Sequence, residues 1–316
     1  MATAKRNAKT KAATKSKKAA PKKTAAPTKK AATKKAATKK AAPEKKAAPT
    51  QKRAVASLVA TTTTESAPPT TRAPETLGTI RCPSGTLAIF DVGLVGYLAR
   101  EALEPAIVKV EVPADRPLEV TGTRVGRGRL ADCWDHVAVL LSDGEVHTSR
   151  KLGKAGVDFA RLVLMDHAAL DAWQHEDSLD GRADVVFWGR DEAALARALG
   201  ASRTKDGHGW MNLPVADAEA RALEADRKKA ANKWLLKIDY RPHSHHYLAL
   251  ATARANPRGA GELDLAGSRL LLFFTSWGDG VFPIFLDLDA QERPVRVRVQ
   301  LATPASFAAM SAVNQR

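Results

Sequence analysis

The pattern of apolar and polar residues beyond residue 80 predicts a series of β-strands. Valines alternate with Lys109 and Glu111 along Val108–Val112, which is typical of a half-buried strand. Thr86–Asp91 is apolar and follows Gly85, so it is a second predicted strand. Three more strands are predicted on similar grounds, at Leu118–Val120, Trp134–Leu141 and Val185–Trp188.

The middle of the chain also contains helical patterns. Asp191–Leu199 has Asp191 as a candidate N-cap and Gly200 directly after its last residue, the usual signals for the two ends of a helix. The segment from Pro214 to about Trp234 is rich in alanine, glutamate, arginine and lysine, and it is the longest predicted helix. A third helix is predicted at Asp166–His175.

The C-terminal part predicts four consecutive strands. Short connections such as Gly278–Gly280 favour an antiparallel meander, and the long β-α-β alternation of a parallel sheet is missing from the sequence. We therefore predict an α+β fold for residues 80–316, an antiparallel β-rich domain with a few helices, either whole or divided into two subdomains near residues 155–180. The four strands are Tyr247–Arg254, Arg269–Ser276, Val281–Asp287 and Val295–Leu301.

Charge separates the beginning of the chain from the rest. Residues 1–53 contain 19 lysines and arginines and one acid, Glu44, which gives a net charge of +18. Residues 54–316 contain 31 basic and 33 acidic residues, which gives −2. Because alanine is the only sizeable source of apolar surface in residues 1–53, we predict a disordered basic tail there. Residues 54–79 are rich in threonine and proline and predict a linker.

The lysines of the tail predict binding to nucleic acid without sequence preference. Lysine attracts phosphate as a point charge and lacks the planar fork with which arginine reads guanine. The tail resembles the Lys/Ala/Pro-rich tails of linker-histone-like proteins, including bacterial ones. We expect DNA ahead of RNA as the partner; the alternative is a solubilising extension without a dedicated partner. The lysines predicted to contact nucleic acid are Lys17, Lys18, Lys22, Lys23, Lys29, Lys30, Lys34, Lys35, Lys39, Lys40, Lys45 and Lys46.

The block Ser276–Gly280, with the sequence SWGDG, is a candidate ligand site. Two glycines flank Asp279, so the turn requires unusual backbone angles. One interpretation is a tight hairpin in which Trp277 packs on the sheet and Asp279 bonds to the backbone. The other is a mouth at which Ser276, Trp277 and Asp279 hold a ligand.

Together with the segment Gly85–Asp91, this block resembles a bacterial family of domains of unknown function. Members open with a Gly-x-hydrophobic stretch that ends in aspartate and close with a Trp-Gly-Asp-Gly block, a Phe/Tyr-Pro strand and an aspartate turn, here at Phe273–Asp289. This chain departs from the pattern because Val92 stands where the family has proline. It also has Ala290-Gln291 where a glycine is common. The resemblance implies no catalytic residues; some relatives lie among toxin and immunity genes, which implies a protein partner for the body.

A histidine cluster raises the question of a metal site. His243, His245 and His246 form an H-x-H-H pattern, and two histidines at i and i+2 of a strand share one face and could share a metal ion. A third ligand would have to come from elsewhere in the chain. The alternative is an exposed loop after Pro242, and we predict no bound metal.

A second group, Asp132, Cys133, Asp135 and His136, resembles the set required for a nucleophilic cysteine. Cys133 and His136 are three residues apart on a predicted strand, however, so their side chains should point to opposite faces. We therefore predict no catalytic residue here.

Two arginine patterns could attract phosphate. Gly126–Arg129 lacks the Lys-Ser/Thr of a P-loop and is predicted to be a turn. Arg296 and Arg298 alternate with valines, which predicts a strand whose polar side lies in water.

Several classes of protein do not fit the sequence. A membrane helix would need about 18 uninterrupted apolar residues, a secretory signal would need an apolar stretch behind the basic residues, and Cys82 and Cys133 are too few for a disulfide framework. We expect a cytoplasmic, nucleoid-associated protein without a membrane association or a cofactor.

These observations predict a non-enzymatic bacterial protein whose histone-like tail binds nucleic acid and whose body binds a protein partner. The first alternative is an immunity-type partner-binding module with an accessory tail. The second is an enzyme of unknown chemistry.

Overall fold

The computed structural model of the chain describes residues 72–313. The predicted tail at 1–53, with the twelve lysines predicted to contact nucleic acid, and most of the predicted linker at 54–79 lie outside the described residues. The helices of the described part are α1 (Arg100–Leu103), α2 (Glu192–Leu199), α3 (Val215–Asn232), α4 (His245–Ala255) and α5 (Pro304–Val313). Short 3-10 segments lie at Val92–Gly96, Glu104–Ala106, Gly128–Leu130 and His167–Ala172.

Strands make up most of the regular structure of the described residues. In chain order they are β1 (Glu75–Ile80), β2 (Thr86–Phe90), β3 (Val108–Glu111), β4 (Leu118–Arg124), β5 (Trp134–Leu140), β6 (Thr148–Val157), β7 (Arg161–Asp166), β8 (Arg182–Gly189), β9 (Ser202–Thr204), β10 (Gly207–Pro214), β11 (Leu236–Pro242), β12 (Ala260–Leu265), β13 (Ser268–Phe274), β14 (Gly280–Leu288) and β15 (Pro294–Gln300).

The strands form three sheets whose neighbouring strands are all antiparallel. A six-stranded sheet has the order β1-β4-β5-β15-β14-β6, and a five-stranded sheet has the order β12-β13-β7-β2-β3. A four-stranded sheet has the order β11-β8-β10-β9. The α+β, antiparallel β-rich fold class predicted from the sequence is confirmed.

The main core lies between the six-stranded and the five-stranded sheets. Leu271 and Phe273 of β13 contribute to it, together with Trp134 of β5 and Ile284 of β14. Residues of β13 in the alternate positions, such as Leu272, point to the opposite face and pack in a second core with Leu250 and Ala253 of α4. Both faces of the five-stranded sheet are therefore covered, which explains why its central strands β13, β7 and β2 are mostly apolar, whereas the edge strands β12 and β3 carry charged residues.

Residues 182–242 form a compact α/β unit inserted between β7 and α4. Their order along the chain is β8-α2-β9-β10-α3-β11, and the sheet order places β8 between β11 and β10. This is the split β-α-β-β-α-β arrangement of ferredoxin-like units. The helices α2 and α3 cover one face of the sheet, where Phe187, Leu195 and Ala225 form the core.

Several predicted elements are confirmed in this unit. The helix predicted at Asp191–Leu199 is α2, and Gly200 after it has a φ of +66°, the left-handed conformation that ends many helices. Asp191 stands at the N-cap, but its carboxylate accepts a hydrogen bond from the Leu235 backbone N–H at 2.7 Å instead of capping the helix. The helix predicted from Pro214 is α3.

The predicted start of the body at residue 80 is wrong. Glu75–Ile80 is a strand, although the sequence analysis placed residues up to 79 in the linker. It pairs with β4 and buries Leu77 and Ile80, so the edge of the six-stranded sheet depends on it. The segment has few apolar residues, so its sequence does not show the pattern of a strand.

The predicted strand at Tyr247–Arg254 is also wrong, because this segment belongs to α4. Ser244 caps the helix by accepting a hydrogen bond from the Tyr247 backbone N–H at 3.3 Å. Its buried residues, His246, Ala249, Leu250 and Ala253, have the spacing of one helical face. The helix predicted at Asp166–His175 is in turn only a 3-10 segment, which follows the end of β7.

The predicted C-terminal meander is only partly correct. β14 and β15 form a hairpin, as predicted. β13 and β14 belong to different sheets, so the Gly278–Gly280 connection crosses from one layer of the sandwich to the other. Short loops do not distinguish a hairpin from such a crossing.

Replacement of Gly261 by alanine should destabilise the body. A Cβ atom at this position of β12 would lie 2.5 Å from the Ala253 backbone nitrogen and 2.8 Å from the Thr252 carbonyl carbon, so α4 would have to move. We expect a loss of about 1–3 kcal/mol in the free energy of unfolding, measured by urea denaturation. The control is Gly156→Ala in β6, where no atom lies within 4 Å of the added Cβ; equal losses in the two variants would contradict the packing argument.

Candidate functional site

The SWGDG block clamps the two sheets of the sandwich together. Ser276 Oγ accepts a hydrogen bond from the Trp134 backbone N–H at 2.9 Å, and Trp277 Nε1 donates one to the Trp134 carbonyl oxygen at 2.7 Å. Asp279 Oδ1 accepts one from the Ala160 backbone N–H at 2.9 Å. The three residues proposed as a ligand site thus make the contacts of a structural clamp, and a ligand role for them stays a prediction.

The three clustered histidines lie in three different environments. His243 precedes α4 and contacts Asp180 through Nδ1 at 2.8 Å and Asp184 through Nε2 at 3.3 Å. His245 Nδ1 accepts a hydrogen bond from the Gln174 backbone N–H at 3.0 Å. The expectation that two of the histidines share a strand face is wrong, because the helix begins at His245. Within residues 72–311, no three His, Cys, Asp or Glu side chains are placed to hold a metal ion.

The charge states of the histidines differ accordingly. Burial lowers the pKa of His243, but its hydrogen bonds to the carboxylates of Asp180 and Asp184 outweigh this effect and raise the pKa overall. Burial lowers the pKa of His175 to about 4 and that of His246, whose ring lies 4.0 Å from the His175 ring, to about 2. His175 and His246 are therefore neutral near pH 7 and form part of the apolar packing under α4.

The contacts of Cys133 do not support a nucleophilic role. Burial raises the pKa of its thiol, whereas a nucleophilic cysteine needs a lowered one. Its sulfur lies 3.5 Å from the Ser276 carbonyl oxygen, and His136 Nδ1 instead contacts Asp135 at 2.7 Å.

The segment Gly126–Arg129 is a turn, as predicted. Gly126 and Gly128 have φ angles of +77° and +65°, which strongly favour glycine. Its second half belongs to a short 3-10 segment at Gly128–Leu130, so the turn does not supply the helix N-terminus on which a phosphate-binding loop depends.

The outer arginines of β15 do not project freely into water. Arg296 Nε and Arg298 Nε each donate to the fully buried Asp287, at 2.7 Å and 2.8 Å, and Ser149 Oγ donates to the same carboxylate at 2.7 Å. The prediction that this side of the strand is simply solvated is therefore wrong. Both guanidinium groups stabilise a buried charge inside the sheet, which leaves less of their charge available to an outside anion.

A cleft that no sequence pattern predicts lies between α4 and the helix-free face of the four-stranded sheet. Its volume is about 310 Å³. Arg241 donates to Asp239 at 2.7 Å and to Asp206 at 2.8 Å across its floor. The residues that line it are Asp184, Lys205, Asp206, Met211, Arg241, His243, Tyr247, Leu248, Ala251 and Arg254.

The cleft is suited to binding through hydrogen bonds and charge. Burial and the nearby Asp239 raise the pKa of Tyr247 to about 12, so its phenol stays protonated. Arg254 has no ion-pair partner within residues 72–311, whereas Arg241 is neutralised by its two carboxylates. The lining residues come from four separate elements and two connections between elements, and only His243 belonged to a candidate site predicted from the sequence.

Comparison with known proteins gives no match to a family model, to a curated protein or to a solved structure. The helices among the described residues include none that is long and apolar enough to cross a membrane.

Replacement of Asp287 by asparagine should destabilise the body strongly. Burial raises the pKa of this carboxyl group, but the hydrogen bonds from Arg298, Ser149 and Arg296 outweigh it and lower the pKa to about 2. Removal of the negative charge leaves two arginines without their partner, and we expect a loss of about 3 kcal/mol at pH 7 in urea denaturation.

The same substitution should change the dependence of stability on pH. A carboxyl group with a lowered pKa stabilises the folded state above its unfolded pKa, and this contribution disappears as the pH falls from about 4 to about 2. The difference in unfolding free energy between the wild type and Asp287→Asn should therefore shrink across that range. Asp143→Asn, in the exposed turn after β5, is the matched control; a difference that is constant with pH would contradict the argument.

Proposed function

We propose that the protein binds nucleic acid without sequence preference through its N-terminal basic tail, and that it is not an enzyme. The distribution of charge is the observation that carries the proposal. Residues 1–53 have a net charge of +18, whereas residues 72–313 contain 30 basic and 32 acidic residues. Attraction to a polyanion therefore resides mainly in the tail.

The type of basic residue supports binding to the phosphate backbone. The tail has 17 lysines and two arginines, and no aromatic side chain that could stack on bases. Duplex DNA carries one negative charge per about 1.7 Å of its axis, so eighteen positive charges match roughly 30 Å of duplex. Such contacts position a protein on nucleic acid but carry no sequence information. A nucleoid-associated, cytoplasmic protein of bacterial origin fits this chemistry.

The hydrogen bonds and ion pairs of the polar residues in the body support the proposal that the protein is not an enzyme. Ser276, Asp279 and Cys133 contact backbone groups, and the carboxylates around Arg241 and Asp287 are engaged in ion pairs. None of these contacts pairs a nucleophile with a base, the arrangement that most covalent catalysis requires.

Removal of the tail should abolish binding to random duplex DNA in an electrophoretic shift assay. If about half of the tail charges contact phosphates, the slope of log K against log salt should be about −8 for the intact protein. The control is a full-length variant in which the twelve lysines named above are replaced by glutamine, which keeps the length of the tail. Unchanged duplex binding by both variants would contradict the proposal.

A protein partner for the body is the second candidate function, and one exposed apolar corner favours it. Tyr97 and Leu98 are 73% and 37% exposed, and the Tyr97 ring stacks on Phe159 with 5.2 Å between the ring centres. Exposed aromatic residues with adjacent aliphatic ones are typical of the centre of a protein interface.

The corresponding test is co-purification of the full-length protein at high salt, which suppresses contacts through the tail. We expect a stoichiometric protein that Tyr97→Asp releases and that Tyr97→Phe retains. A partner held equally by all three proteins would place the interface elsewhere, and the absence of any retained protein would remove the basis of this second candidate.

A further inference from the structure

Positive charge in the body is concentrated where α3 ends and β11 begins. Arg227, Lys228, Lys229, Lys233 and Lys237 lie within eleven consecutive residues that contain no acid; Asp226 directly precedes them. Arg221, one turn or more upstream, pairs with Glu224, but these five side chains make no ion pair with any residue of 72–311. A body of nearly neutral net charge thus has five unpaired cations in one short stretch, of which Lys229 and Lys237 line a common groove.

Two tryptophans lie directly beside these cations. Trp188 of β8 stands opposite Lys237 of β11 in the sheet register. An open groove of about 380 Å³ runs from Trp188 past Lys229 and Trp234. Leu235, on the wall of this groove, is 59% exposed. The groove therefore combines indole rings, apolar surface and ammonium groups.

The surface continues across the helix-free face of the four-stranded sheet. A second groove of about 300 Å³ shares Trp188 with the first and is lined by Asp206, Arg241 and Arg254. The Arg241 guanidinium carbon lies 5.9 Å from the centre of the Trp188 ring. Trp188 is thus flanked by Lys237 on one side and by arginines on the other. We call the residues Trp188, Lys229, Trp234, Lys237 and Arg254 the tryptophan strip.

Lysines at the end of a helix also have a purely local role. They interact favourably with the negative end of the helix dipole, and this accounts for Lys228, Lys229 and Lys233. It does not account for Lys237, which lies in a strand, nor for the exposure of Leu235. Both tryptophans are partly buried; Trp234 packs against the core of the α/β unit, and Trp188 lies beside Arg241. A partner that carries both negative charge and aromatic rings matches this combination.

We propose that the tryptophan strip binds single-stranded nucleic acid, with lysines on the phosphates and bases stacked on the tryptophans. Stacking on exposed aromatic rings accepts any base, whereas the bases of a duplex are already stacked on one another. The strip therefore selects single strands, and it does so independently of the tail, which has no aromatic residue. This inference extends the proposed nucleic-acid function to the body and supplies a preference that the tail cannot provide.

The test compares an oligothymidylate with a duplex of the same length, using fluorescence anisotropy and the full-length protein. The double variant Lys229→Glu with Lys237→Glu should lose about tenfold in affinity for the single strand and keep its affinity for the duplex. Trp188→Ala should do the same, and Trp188→Phe, which keeps an aromatic ring, should retain binding. Thermal unfolding followed by circular dichroism verifies that the variants are folded.

The matched control is Arg150→Glu with Lys154→Glu on β6, which changes the net charge equally at two exposed positions of another sheet. It should leave single-strand binding unchanged. Single-strand affinity that is equal in all variants, or that falls equally in the control, would overturn the inference. The inference would also be overturned if the variants lost a co-purified protein partner while their affinity for the single strand stayed unchanged. Loss of duplex binding on neutralisation of the tail tests the proposed function separately, so the two proposals can fail independently.

Discussion

Trp277 connects the two sheets of the sandwich, and the rest of the body is arranged around that contact. Its indole is 5% exposed and donates to the carbonyl oxygen of Trp134, while Ser276 accepts from the N–H of the same residue. The chain therefore leaves the five-stranded sheet at β13, is fixed on β5, and enters the six-stranded sheet as β14. Asp279 fixes the same connection to Ala160, where β7 begins. Four distant segments meet at one short block, which explains its unusual composition without reference to a ligand.

The predictions from sequence succeeded where interactions between residues close in the chain determine the structure. Gly200 ends α2 because only the left-handed conformation fits there, and the alternating valines of β15 mark one buried face. They failed where tertiary contacts decide. Tyr247–Arg254 is equally compatible with a strand or a helix by composition, and the cap at Ser244 together with packing against the back of β12 selects the helix. β1 has little apolar content and is stable as a strand only because β4 is beside it.

The candidate sites were harder to predict than the fold for the same reason. A motif shows which residue types are close in the chain, but their hydrogen bonds depend on where the fold places them. Arg296 and Arg298 look solvated in the sequence because Asp287 belongs to a different strand, and the cleft beside α4 draws on residues as far apart as Asp184 and Arg254. Two elements that are remote in sequence cannot reveal a shared site through spacing alone.

The net charge of the body does not describe how charge is distributed over its surface. Most of its arginines are paired: those of β15 with Asp287, Arg241 with two aspartates, and Arg269 with Asp264 at 2.7 Å. Pairing removes these charges from the long-range field, since an ion pair attracts a third charge only weakly. The lysines and arginines that remain unpaired then determine the local potential. Those of α3 and β11 stand beside two tryptophans, and on this basis we propose that a nearly neutral body distinguishes a flexible single strand from a uniformly charged duplex.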